Sequence, residues 1–236
     1  MLHDLPPMPY PQPMTRRDLL TAGASLAAIG GVAACMLTGP ALAQTGNDGN
    51  TSAQVSTEDL MQPGPLPELT FGRADAPITL VEYASMTCPY CAAFHNNVLP
   101  TLRQKYIAPG KLRWVLREYP LDNLAAAASM LARCAGEDKT LALIAVLYAR
   151  QNEWAFVPKP LPELFRFARI ADFTRASFDE CLRDQKLLDD IAAIRARGAN
   201  TFGVVQTPTF FVNGKRLERG ATLEDFEKAF APILKG

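Results

Sequence analysis

The residues of this chain best suited to chemistry are two cysteines separated by two residues, in Cys88-Pro89-Tyr90-Cys91. A thiolate is both a nucleophile and a metal ligand, so the spacing serves a small redox disulfide or half of a zinc site. Pro89 favours a helix start, because it fixes φ and lacks an N–H that the first turn would leave unpaired anyway. At such a start the free backbone N–H groups and the helix dipole favour negative charge on the leading sulfur. A free thiol pKa near 8.5 falls to about 3.5–7.5 in settings of this kind, which improves the sulfur as attacking and as leaving group. Cys88 is therefore the expected nucleophile, and Cys91, one turn further in, the resolving thiol.

Other candidates surround the pair. His95 follows Cys91 by four residues, so Cys88, Cys91 and His95 on one helix face form a conceivable metal set, although a surface histidine at the rim of the site is the preferred reading. Tyr90 and Phe94 could flank a peptide groove, but aromatic residues at a helix start more often pack. Cys134 and Cys181 both fall on apolar helical patterns. Joined in an oxidising compartment they would close a long loop and stabilise by roughly 4 kcal/mol. That bridge is expected, with two buried free thiols as the alternative.

The elements that must position these residues are legible in outline. Ile78-Thr79-Leu80-Val81-Glu82-Tyr83-Ala84 is apolar and β-branched on both faces, as in a strand buried inside a sheet, which makes Glu82 conspicuous. After Cys91, residues Ala92, Phe94, Val98, Leu102 and Tyr106 predict a helix bent near Pro100. Lys111 to Tyr119 alternates as a second strand. From about 123 to 198 the pattern is an all-helical insertion, notably Leu124–Ala135 and Thr140–Arg150, broken by Val157-Pro158-Lys159-Pro160-Leu161-Pro162. Strand character returns at Thr209–Val212, and Asn213-Gly214 followed by Arg216-Leu217-Glu218 signals a hairpin. Thr222 with Asp225 resembles a cap on a last helix ending near Lys235. Gln206-Thr207-Pro208-Thr209 leads into the third strand, and an X-Pro bond at that place can be cis.

The amino terminus reads as an address. Thr15-Arg16-Arg17-Asp18-Leu19-Leu20 precedes a charge-free Ala- and Gly-rich stretch and Ala41-Leu42-Ala43, the order of an export signal, with paired arginines that resemble a twin-arginine signal. Residues 1–43 are expected to be removed near Ala43. A lipoprotein processed at Cys35 and an uncleaved membrane anchor are the less favoured alternatives. Residues 44–67, rich in Gly, Ser, Thr and Pro, read as a flexible lead-in without core, and 68–236 as one domain. Export places the cysteines where disulfides persist, which favours redox chemistry over metal. The 24 basic residues balance the 24 acidic ones, so the chain has no basic footprint for nucleic acid.

The strand with Glu82, the Cys88-Pro89-Tyr90-Cys91 helix start, the helical insertion and Thr207-Pro208-Thr209-Phe210-Phe211-Val212-Asn213-Gly214 together resemble the DsbA-like branch of the thioredoxin superfamily, from about Glu68 to Gly236. The resemblance implies an α/β thioredoxin-like fold with the insertion between the second strand and the proline hairpin. It implies a cis Pro208 beside the disulfide, with Thr207 and Pro208 forming the substrate-binding edge next to Pro89 and Tyr90, in the space a metal would need. It also implies that Glu82, six residues before Cys88, is the buried acid beneath the pair. A carboxyl group in a dry strand keeps its proton more readily, which suits exchange with Cys91; the alternative is an edge glutamate reaching solvent.

The expected activity is a periplasmic dithiol oxidase with no cofactor and no metal beyond the Cys88–Cys91 disulfide. It would act on reduced or misfolded exported proteins, be reoxidised by a membrane redox partner, and work as a monomer. Thr207 and Tyr90 also resemble residues of isomerases and reductases, which remain the alternative, followed by a non-enzymatic client- or metal-binding module.

Overall fold

The computed structural model describes residues 55–217 and 222–235. The export signal, Ala43, Cys35, residues 44–54 of the lead-in and Glu218 lie outside the described residues.

The chain runs α1 (Thr57–Leu60), β1 (Leu69–Phe71), β2 (Ile78–Ala84), α2 (Pro89–Asn97), α3 (Leu99–Leu102) and β3 (Leu112–Glu118). Five α-helices follow: α4 (Asn123–Cys134), α5 (Glu137–Ala149), α6 (Pro160–Ala168), α7 (Arg175–Cys181) and α8 (Gln185–Phe202). The hairpin strands β4 (Thr209–Val212) and β5 (Lys215–Arg216) and the helix α9 (Leu223–Lys235) complete it. The sheet order is β1-β3-β2-β4-β5, with β2 and β3 parallel and the other pairs antiparallel. This is the mixed α/β thioredoxin-like arrangement.

Strand alternation splits the core in two. Leu80, Trp114, Leu116, Phe210 and Val212 point to the face covered by α2, α9 and the helical insertion. Val81, Tyr83, Val115 and Phe211 point to the other, smaller core with Phe202 and Val204. Glu82 pairs with Leu116 on one side and Phe210 on the other, so its side chain is carried into the larger core.

Several boundaries differ from the pattern. The lead-in is not without core: Leu60 is 1% exposed and packs on the smaller sheet face. Val55 N–H donates to Gly214 O at 3.0 Å, and the Arg197 guanidinium donates to the carbonyls of Asp59 and Gln62 at 2.7 and 2.8 Å. A Pro- and Gly-rich segment has no period to reveal such anchoring. The insertion does not stop at Gly198. Helix α8 runs through it to Phe202 and ends on Gly203 at φ 63°. Gly198 is needed in mid-helix because a Cβ there would lie 2.7 Å from the Tyr83 ring. The Pro-rich break starts α6 at Pro160, since the first helical turn has no use for those N–H groups. The helix after Cys91 breaks at Val98, two residues before Pro100, and closes through a π-helical turn at Arg103–Ile107.

Turn and cap chemistry follow the residue types. Asn213 and Gly214 take φ 46° and 79°, as a two-residue hairpin loop requires. Asp225 N–H donates to Thr222 Oγ1 at 3.3 Å at the head of α9.

Candidate active site

Cys88 is the residue before α2, with extended backbone at φ −80° and ψ 120°. Pro89 occupies the first helical position. The loop that delivers Cys88 is fixed from two sides. On one, Cys88 N–H donates to Ser85 O at 3.1 Å and Thr87 Oγ1 donates to Asp122 Oδ2 at 2.6 Å. Asp122 Oδ1 meanwhile accepts Ala125 N–H at 2.7 Å, capping α4. On the other, Gln151 Nε2 donates to Met86 O and Cys88 O at 2.8 and 3.1 Å, and Tyr148 OH donates to Ser85 O at 3.2 Å. The helical insertion thus holds the start of α2.

Cys88 and Cys91 stand as free thiols, 5% and 0% exposed. Their environments differ. The Cys88 thiol is lowered to about 6: a hydrogen bond from Cys91 contributes most, burial works against it, and the Thr207 side chain and the N–H groups of Cys91 and Tyr90 add to the lowering. The Cys91 thiol is pushed well up, first by burial, then by the hydrogen bond to Cys88 and the charge of Glu82. One sulfur is therefore set to be an anion and its neighbour to hold a proton.

The Thr207–Pro208 peptide bond is cis, and Cys88 Sγ donates to Thr207 O at 3.2 Å. The Thr207 hydroxyl oxygen is buried and has no hydrogen-bond partner among the described residues, which leaves it able to donate to a Cys88 thiolate. Tyr90 is 75% exposed and Pro89 is exposed beside it. The structure therefore brings Thr207 to the sulfur and sets Pro89 and Tyr90 on the outer side of the motif.

Glu82 is fully buried. Its Oε2 accepts the Trp114 indole N–H at 3.0 Å, and its Oε1 lies 3.2 Å from His95 Nε2. His95 is thus not at the surface rim: its side chain is 5% exposed, with ring centroids 4.1 Å from Tyr148 and 5.6 Å from Trp114. The turn of α2 carries it inward, and the polar group it meets lies on a strand distant in sequence, which helical spacing does not show. Phe94 is core as well, 1% exposed and 4.6 Å from the Phe210 ring, so it flanks no groove. No group of three or more His, Cys, Asp or Glu is placed to hold a metal among the described residues.

Cys134 and Cys181 are bonded, with Cα atoms 6.2 Å apart, and tie the last residue of α4 to the last of α7. Sequence reasoning passed over Gln151, Tyr148 and Asp122, whose partners lie 35 to 65 residues away. Trp114 was traceable: it shares the strand alternation of Leu112 and Leu116, hence the face of Glu82.

The sequence matches the family described as Thioredoxin over residues 66–231. A provisionally named protein-disulfide oxidoreductase of Rickettsia bellii (strain RML369-C) is 32% identical over 152 residues, 64% of this chain and 59% of that protein. Such curated relatives are longer, and the chain spans 53% to 60% of the Rickettsia proteins it matches. Wolbachia pipientis alpha-DsbA1 is similar in structure with a TM-score of 0.68 and 27% identity, covering 76% of this chain and 96% of that one. BdbD from Bacillus subtilis, at 19% identity and a TM-score of 0.65 over 78% of this chain and 98% of that one, shares the fold.

Proposed function

Because the chain belongs to the thioredoxin family and takes its DsbA-like form, we propose that it is a thiol-disulfide oxidoreductase that introduces disulfides into exported proteins through Cys88 and Cys91. The observation that carries this reading is the placement of the two sulfurs: Cys88 at the head of α2 against the Thr207 carbonyl at the cis bond and Cys91 fully buried one turn in, a setting that lowers the first thiol to about 6 and raises the second. A thiolate stabilised at Cys88 favours the dithiol form, and a disulfide whose reduced form is stabilised is an oxidant.

In the reaction a client thiolate attacks Cys88 Sγ of the disulfide. The Cys88–Cys91 bond breaks, its electron pair goes to Cys91, and Cys91 takes up a proton from Glu82. A second client thiolate then attacks the client sulfur of the mixed disulfide, and Cys88 leaves as a thiolate. The client is oxidised and the pair reduced. Thr207, at the cis bond beside Cys88, presents backbone to an extended client, with Pro208, Pro89 and Tyr90 forming the rest of that edge. No cofactor beyond the cysteine pair is required, and reoxidation falls to a membrane partner. Cleavage near Ala43 and a periplasmic location belong to the same reading. No described helix is long and apolar enough to cross a membrane.

A redox titration of Cys88–Cys91, combined with an assay on a reduced unfolded protein, tests it. A potential well above about −300 mV with net disulfide formation is expected. A potential below that value would make the pair a structural bridge, and reshuffling of scrambled disulfides without net oxidation would make the chain an isomerase.

A further inference from the structure

Glu82 is a buried carboxylate whose partners include neither lysine nor arginine among the described residues; Trp114 and His95 occupy its two oxygens. Burying a carboxylate needs compensation, and a neutral indole N–H supplies only part of it. The remaining partner is the one side chain type whose ordinary titration lies between about pH 5 and 8. Resting on the functional reading above, we infer that His95 is a positioning residue that shares a proton with Glu82 and thereby sets when Glu82 can give a proton to Cys91.

The geometry restricts how this works. Trp114 on β3 holds Oε2, so Oε1 is the oxygen that faces Nε2 of His95. His95 is held in turn by rings from three elements: Tyr148 of α5, Trp114 of β3 and Phe94 of its own helix. The titratable groups facing this cluster are Glu82 from β2, Cys88 and Cys91 at the head of α2, Tyr148 from α5 and Glu118 from β3. Burial raises the Tyr148 phenol far above its ordinary value, so it stays neutral, and both cysteines are tied up while the disulfide is closed. When a client thiolate opens that disulfide, negative charge appears on Cys91, one helical turn from His95. The single proton shared between His95 Nε2 and Glu82 Oε1 then passes by way of the Glu82 carboxyl group to Cys91, leaving Glu82 a carboxylate as before. His95 ends neutral, Cys91 ends as a thiol, and the buried cluster gains no net charge beyond that brought by the client.

The test uses the full chain with Cys88–Cys91 closed, mixed with a reduced dithiol peptide by stopped flow from about pH 5 to 9, a span that brackets histidine and thiol titration. Rates are corrected for the peptide's thiolate fraction. His95→Gln keeps a hydrogen-bond donor near the place of Nε2 and cannot carry the exchangeable charge. It is expected to slow disulfide opening about tenfold or more on the acid side and to flatten the wild-type profile. In a Glu82→Gln background it should add nothing, because both residues serve one proton. A wild-type profile in His95→Gln, or effects of the two substitutions that simply multiply, overturns the inference while leaving the oxidoreductase reading intact. A wild-type chain that does not oxidise the peptide overturns both. If His95→Gln does not fold, ring nitrogen NMR of His95 in the wild-type chain decides. The ring must change charge or tautomer when Cys88–Cys91 is reduced at constant pH, and an unchanged ring overturns the inference.

Discussion

The molecule holds two cysteine pairs of opposite design. Cys88 and Cys91 lie one helical turn apart, buried, unbonded, with one thiol lowered to about 6 and the other raised. Cys134 and Cys181 are bonded across a sequence separation of 47 and join the ends of two helices. A bond that closes a long loop acts mainly by restricting the unfolded chain, whereas a bond within one helical turn restricts it little. Reactivity follows the opposite rule, since it depends on the difference between the two sulfurs. On the proposed function, chemistry and stability are thereby divided between the pairs, and substitutions should separate them.

The largest effect is expected at the first pair. Cys88→Ser should leave at most about a thousandth of the wild-type dithiol oxidation rate, because the attacked and departing sulfur is gone. Cys91→Ser cannot close the pair, but its Cys88 thiolate can attack a disulfide already present in a client. One client sulfur leaves as a thiolate, and with no Cys91 thiol to release the mixed disulfide the adduct should be visible on non-reducing gels. At about pH 5, below the Cys88 titration near 6 where its thiolate adds little stability, neither change should lower the melting temperature appreciably relative to the reduced wild-type chain. The double substitution Cys134→Ala with Cys181→Ala should do the reverse. It should destabilise by roughly 4 kcal/mol for the 47-residue separation and keep the oxidation rate of folded protein within about twofold, as calorimetry and the same assay would read. A large loss of rate in this double variant would break the division.

The pairs should also differ in pH response. The folded Cys88 thiol at about 6 lies below its ordinary 9.0, so its thiolate stabilises the folded dithiol form. That contribution is fully present above about 9 and is lost as pH falls through about 6. Cys91 acts oppositely. Its raised thiol stays protonated where an unfolded chain would ionise, so its contribution is present below the ordinary value and is lost as pH rises beyond it. Denaturant unfolding of the dithiol form should show stability rising from about pH 6 toward 9, and Cys88→Ser should remove the rise. Opening the Cys134–Cys181 bond should not change that slope.

The same contrast governs what was legible in the sequence. Local chemistry could be read: the cysteine spacing, Pro89 at a helix start, Asn213-Gly214 in a hairpin, and Glu82 conspicuous inside an apolar strand. Each depends on residues within a turn or a strand pairing of one another. What escaped was set by tertiary approach. Gly198 read as the end of the insertion because glycine usually ends helices, whereas here the Tyr83 ring leaves no room for a Cβ. The short β1 offers three residues, too few for alternation to register, and α1 only four. His95 read as a rim residue because its partner is on a strand 13 residues earlier, and only the folded sheet turns the two side chains toward each other.

Gln151 gives the smallest expected effect and the sharpest test of how the reactive pair is held. It is 5% exposed and spends its amide N–H groups on Met86 O and Cys88 O. In Gln151→Ala, Cys88 O keeps the Ala92 N–H at 3.1 Å, while Met86 O loses this buried donor. An unpartnered buried carbonyl costs about 1–3 kcal/mol, and the lower half of that range is expected in chemical denaturation because one of the two acceptors remains satisfied. The Cys88 thiol should nonetheless keep its titration near 6, read from the pH dependence of alkylation. The groups that lower it are the Cys91 and Thr207 side chains and the N–H groups of Cys91 and Tyr90, none of which Gln151 touches. A midpoint that instead climbs toward 9.0 would mean that the insertion sets the angle at which α2 presents those N–H groups. The helical insertion, which also carries the stabilising disulfide, would then tune the reactive pair, and the two pairs would no longer be independent.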